Sequence, residues 1–153
     1  MTATRIAGIF TLSALLSACA VMFPFNYAEV SPGPARVGSD WTTFTFNPPM
    51  EAPYRGKGVL LELPADAKWT DIHEDVFTTH GRSIKLAAEV TTVDGKVYQL
   101  PFVSPMRPTG YKELYVVLLS EQIPQPLVLS SVRVKATEPV TFGRVLWLNS
   151  TPH

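Results

Sequence analysis

The sequence predicts an all-β protein, an antiparallel β-sandwich of seven or eight strands behind an apolar N-terminal segment. Three observations carry that expectation. Apolar and polar residues alternate with a period of two through most of the chain after Gly38. Turn-forming residues divide these runs, and the 14 prolines against nine glycines leave no room for long helices. No ten-residue stretch has the 3.6-residue periodicity of an amphipathic helix. The 153 residues make one domain's worth of chain. Hydrophobic residues are 46% and charged residues 17%, a balance that excludes disorder over the whole length. The formal net charge is zero, with no basic run, so no electrostatic footprint for nucleic acid exists.

Taken in order, Trp41 to Phe46 alternates, with Phe44 and Phe46 sharing a face, and Phe46 reads as core. Val59 to Leu63 alternates less cleanly. The stretch Asp71 to Thr79 is ambiguous between a short strand and one helical turn. Ile84, Leu86, Ala88 and Val90 form one face of a strand whose other face carries Lys85, Ala87, Glu89 and Thr91. Asp94-Gly95 then predicts a hairpin, because this dipeptide accepts the positive φ angles of a type I′ turn, and Lys96 to Phe102 is the return strand. Leu114 to Leu119 is apolar on both faces, as suits a central strand. Val128, Ser130, Val132 and Val134 are expected on one face, opposite Arg133 and Lys135. In the last strand, Val145 and Trp147 oppose Phe142, Leu146 and Leu148, and Trp147 reads as core.

The N-terminus has one positive charge at Arg5, an apolar run, then Leu16-Ser17-Ala18-Cys19. The layout is that of a secretory signal peptide. Its end resembles the lipobox of bacterial lipoproteins: a branched apolar residue, two small residues and a cysteine. That resemblance implies cleavage after Ala18 and lipidation of Cys19, whose thiol forms the thioether to diacylglycerol. Two or three acyl chains then give stable anchoring, at about 0.8 kcal/mol per buried methylene. Cys19 is the single cysteine, so an intramolecular disulfide is impossible, and lipidation supplies the reason for a lone thiol in an exported protein. An uncleaved transmembrane helix is the alternative, since no charge occurs between Ile6 and Ala28. Both readings place the domain outside the cytoplasm. Ala20 follows the cysteine where, in many Gram-negative lipoproteins, an aspartate favours inner-membrane retention, so the resemblance points to the outer membrane.

The expected organisation is therefore a signal peptide over 1–18, a lipidated tether over 19–38 and a sandwich domain over 39–153. The alternating prolines and glycines of Tyr27 to Gly38 read as this tether or as an early irregular arm of the domain. Ser131 to Trp147 is somewhat similar to the closing hairpin of galactose-binding-like jelly rolls, which implies a jelly-roll-like sandwich and licenses no sugar ligand by itself.

Chemistry is sparse. Asp71-Ile72-His73-Glu74-Asp75, followed by His80, is the densest polar cluster. In an extended segment Asp71, His73 and Asp75 share a face and could ligate a divalent metal. The spacing matches no metalloenzyme motif, and a solvated loop is the expected state, so no metal or cofactor is implied. There is no Gly-x-Ser-x-Gly elbow and no phosphate loop. Ser83 lies near His80, and Glu62, Glu74, Asp75 and Glu89 could furnish a carboxylate pair, but nothing in their spacing selects them. Loop aromatics Tyr54, Trp69 and Tyr111 are the candidates for stacking on a sugar or anchoring a partner. The functional expectation is a lipid-anchored, non-enzymatic envelope module that binds an envelope polysaccharide or a protein. Its alternatives are a structural subunit of an envelope assembly, or a hydrolase using the Asp71–His80 region.

Overall fold

The computed structural model describes residues 26–52, 57–69, 76–108, 110–124 and 126–149. Within them the chain forms strands and no helix. The first seven are β1 (Asn26–Ser31), β2 (Ala35–Val37), β3 (Thr42–Ala52), β4 (Lys57–Glu62), β5 (Lys68–Trp69), β6 (Val76–Thr79) and β7 (Arg82–Thr92). The rest are β8 (Val97–Gln99), β9 (Phe102–Met106), β10 (Tyr115–Ser120), β11 (Leu127–Ala136), β12 (Val140–Phe142) and β13 (Val145–Asn149).

The first sheet has the order β1-β13-β4-β10-β9, and the second runs β3-β11-β7-β6-β5 with β8 also paired to β7. All pairings are antiparallel. Eight strands form the frame, and their pairing is nested. β1 pairs β13, β3 pairs β11, β4 pairs β10, and β7 pairs β8. First meets last, second meets last but one, and so inward: this is a long hairpin rolled into two sheets, the jelly-roll arrangement. β2, β5, β6, β9 and β12 are additions to that frame, which is why the strands outnumber the seven or eight expected.

The two sheets bury one core. β4, β10 and β13 contribute Val59, Leu61, Val116, Leu118, Val145 and Trp147. The facing residues include Phe46, Ile84, Val90, Leu129, Val132 and Val134. Trp147 is fully buried, its ring set edge-on to Phe46 with centroids 5.5 Å apart. Strict alternation along β13 sends Leu146 and Leu148 to the opposite face. Phe142 departs from the expected side. It belongs to the separate strand β12 and packs in the inner core against Phe77.

Three local features differ from the sequence expectation. The segment read as a tether enters the fold: β1 is an edge strand on β13, and β2 pairs β12. Its prolines and glycine, Pro32, Gly33 and Pro34, occupy the connection between β1 and β2. In β11 the register shifts between Leu129 and Ser131 against both neighbours. Against β7 the extra residue is Ser130, which donates its hydroxyl to the carbonyls of Thr91 (3.1 Å) and Thr92 (3.2 Å), whereas against β3 the surplus residues lie on β3, between Thr45 and Met50. A bulge of one residue reverses the sidedness of everything before it. Hence Leu129 is buried with Val132 and Val134, while Val128 is exposed.

The third difference is at the turns. Between β7 and β8 the Thr92 N–H donates to the Lys96 carbonyl and closes a loop of three residues, Val93-Asp94-Gly95, with Gly95 at φ 86° and its N–H donating to the Thr92 carbonyl. That is a type I turn closed by a glycine bulge, and Asp94 keeps a negative φ. The two-residue turn with positive φ at both positions lies between β6 and β7. There His80 (φ 49°) and Gly81 (φ 72°) connect Thr79 to its partner Arg82. Asp66 holds this turn, its carboxylate accepting the His80 N–H (2.7 Å) and the Thr79 hydroxyl (2.8 Å).

Candidate ligand-binding face

The polar outer face of the second sheet gathers the most concentrated side-chain chemistry among the described residues. Alternation puts every second residue of β3, β11, β7 and β8 on this side, and the register aligns them into rows. One row is Thr43, Arg133, Glu89 and Gln99. The next, toward Ser131, is Thr45, Ser131, Thr91 and Val97. On the other side Lys135 pairs with Ala87, and Trp41 lies just ahead of β3.

The Arg133 row is a closed network. The Arg133 guanidinium donates through Nε and Nη2 to Oε1 of Glu89. Gln99 donates Nε2 to the other carboxylate oxygen at 2.7 Å. Glu89 is 5% exposed at its side chain and Arg133 40%, so the carboxylate is held beneath its partners and the cation reaches solvent. A buried carboxylate is tolerated when its oxygens are satisfied in this way.

Trp41 is the aromatic of this face. The Arg133 guanidinium carbon and the Lys135 ammonium each lie 4.7 Å from its ring centroid. Both distances are within cation–π range. Two cations from one strand thus fix the indole over the sheet, half-buried. Lys135 and Lys85 border an adjoining depression of about 290 Å³, with Ser39 and Thr137 on its wall. Because Glu89 balances Arg133, these lysines leave the face with a positive excess. Such a surface can stack a pyranose ring, hydrogen-bond hydroxyls through Thr43, Ser131 and Thr91, and attract an anionic substituent.

A second depression, about 360 Å³, opens at the His80 turn, with Arg36, Arg82 and Thr141 on its wall. Arg82 is paired there to Glu138 at 3.1 Å, and His80 lies 3.5 Å from Asp66. Hydrogen bonds from the His80 N–H and the Thr79 hydroxyl hold the Asp66 carboxyl below the usual carboxylate range.

Of the aromatics singled out from sequence, Trp69 lies in β5, half-buried against the core, with its indole N–H buried and unpaired. Tyr111 follows β9 and packs edge-on to Tyr27 (6.1 Å) and Tyr115 (5.7 Å). Neither is brought to the Trp41 face. Tyr54, Asp71, His73, Glu74 and Asp75 lie outside the described residues, as do Ala18 and Cys19. Glu62 and Glu89 stand on opposite outer faces of the sandwich, so they form no carboxylate pair. Ser83 and His80 are both exposed. No group of three or more metal-ligating side chains occurs among the described residues.

Sequence reasoning passed over Trp41 as the start of an alternating strand. The signal that could have found it is the pairing of its parity with Arg133 and Lys135, which needs the strand register. Comparison with protein-family models, with curated proteins and with solved structures found no match.

Proposed function

We propose that this protein is a lipid-anchored module of the bacterial cell envelope that binds an envelope polysaccharide, non-enzymatically, on the outer face of the second sheet. The observation that carries the reading is Trp41 held by Arg133 and Lys135 beside the Glu89–Gln99 network. A preset aromatic platform flanked by fixed polar groups loses little freedom on binding a sugar. The unbalanced lysines favour a polysaccharide bearing carboxylate or phosphate groups. Anchoring through Cys19 rests on the lipobox resemblance. Six residues, 20–25, separate Cys19 from Asn26, the first described residue. The lipid would hold the domain close to the outer membrane, facing the periplasm.

The test uses lipidated full-length protein on purified envelope polysaccharides. Binding is expected to weaken about tenfold or more, or about 1.4 kcal/mol, in Trp41→Ala and in Lys135→Ala. The melting temperature should change little. Unchanged binding in both variants removes the site. Fatty-acid labelling that vanishes in Cys19→Ala tests the anchor separately.

A second reading, a protein partner within an envelope assembly, has its own observation. Val93 (57% exposed), Val97 (49%) and Val128 (39%) lie close together, with the Val93 N–H bonded to the Val128 carbonyl. Loss of a co-purifying envelope protein in Val93→Asp, with polysaccharide binding absent from the start, would favour it.

A further inference from the structure

The depression at the His80 turn is walled by three parts of the fold. In the two-stranded sheet, alternation sends Ala35 and Val37 of β2, and Val140 and Phe142 of β12, into the core. Arg36 and Thr141 are therefore turned outward together, and both are exposed. The register sets them directly opposite each other, with Cβ atoms roughly 5 Å apart. The second part is the turn between β6 and β7, which Asp66 pins at His80 and which delivers Arg82 as the first residue of β7. The third is a pair of prolines, Pro64 and Pro139, whose rings give the wall a stiff apolar stretch.

We propose that this depression is an anion site that takes a phosphate group, separate from the Trp41 face. The carboxylates near it are already engaged. Asp66 is not on the wall; its oxygens accept the His80 N–H and the Thr79 hydroxyl. Glu138 accepts from Arg82 through Nη1. Arg36 makes no ion pair among the described residues, so it is the cation left free on the wall. Arginine suits a phosphate because its planar fork has five donors, no acceptor, and a spacing that meets two oxygens at once. Thr141 adds a hydroxyl beside it. Arg82 keeps further N–H groups beyond the one given to Glu138. The Arg82–Glu138 pair is 46% exposed at both ends, and an exposed pair of this kind is weakly held. An arriving phosphate can therefore share Arg82 without breaking a buried contact. The wall is set by a strand pair, a pinned turn and two prolines, so its backbone loses little freedom on binding. Free phosphate, the monoester of a soluble molecule and the phosphodiester of a lipid headgroup share this chemistry.

The experiment titrates the isotopically labelled full chain, in detergent at constant ionic strength, with inorganic phosphate, glycerol phosphate and glycerophosphoglycerol. Backbone amide shifts are followed by nuclear magnetic resonance. Saturable shifts are expected at Arg36, Arg82 and Thr141. Arg36→Met should weaken binding roughly tenfold and Thr141→Val roughly threefold, the losses for a charged and a neutral hydrogen bond. Glu138→Gln frees Arg82 and should tighten binding severalfold. Lys96→Met removes a cation beyond the far end of β7 and should leave the titration unchanged. Unchanged melting temperatures show that the fold is kept in each variant. Tighter binding of phosphate or the monoester assigns the site to a soluble source, and tighter binding of the diester assigns it to a lipid headgroup. Shifts that rise without saturating, or that Arg36→Met leaves unaltered, overturn the proposal, as does an equal loss in Lys96→Met. The shifts are read at the His80 depression and involve no polysaccharide, so the result is independent of the Trp41 site.

Discussion

The two outer faces of this sandwich differ more than its two sheets do. Behind β4, β10 and β13 the face is apolar and closed, centred on Leu60, Tyr115 and Leu146. Behind β11 and β7 it is polar and open, with Arg133 and Lys135 under Trp41. An antiparallel sheet normally keeps one side wet. The second sheet does so, and the first does not. The difference teaches that the side chains decide which side of a sheet stays wet: the alternate residues behind β4, β10 and β13 are apolar and buried, whereas those of β11 and β7 include charged groups that reach solvent.

Substitutions can break or sharpen that contrast. The largest expected effect is at Leu60. Leu60→Ala should lower unfolding free energy by about 2–5 kcal/mol, the range for a buried leucine. Val97→Ala, on the opposite face, should cost under about 0.5 kcal/mol. Urea denaturation measures both. A loss at Leu60 below about 1 kcal/mol would make the first-sheet face an ordinary surface and erase the contrast.

Next is Arg133→Ala, which leaves the Glu89 carboxylate nearly buried with Gln99 as its remaining side-chain partner. The expected cost is about 1–3 kcal/mol, less than for a fully buried pair because Arg133 is 40% exposed. The double variant Arg133→Met/Glu89→Leu should recover most of it, since no unpaired charge remains. A double-mutant cycle showing no coupling would mean that the network does not order the polar face.

The smallest effect lies at the His80 turn, outside both faces. Hydrogen bonds that favour the ionised form depress the Asp66 carboxyl below its ordinary value. Asp66 therefore contributes stability that is present above the ordinary carboxylate value of 3.8 and lost as pH falls through its lower folded value. Asp66→Asn should flatten the fall in melting temperature on acidification below about pH 4, leaving both faces unaffected. An unchanged acid profile in the variant would show that Asp66 does not hold the turn.

Much of the fold was legible because alternation is a local property. The positions of β7, β10 and β13 that face the inner core follow from reading every second residue, and the double-sided apolarity of Leu114 to Leu119 placed β10 inside a sheet. Local reading failed where one residue changes the phase. Ser130 inserts a bulge against β7, and so Leu129, not Val128, enters the core. It also failed at Asp94-Gly95, where three residues close the hairpin, while His80-Gly81 takes the turn with two positive φ angles because Asp66 reaches back to hold it. The tether expectation at Tyr27 to Gly38 misses that β13 supplies a partner for β1, more than a hundred residues away in the chain.

By itself, then, the sequence determined the strand content and the inner core around Trp147 and Phe46, because each depends on residues close together in the chain. The tertiary structure alone decided the nested pairing of first strand with last, the covered face around Leu60, and the meeting of Trp41 with Arg133 and Lys135. Register sets those contacts, and register is a relation between strands that no stretch of either one contains.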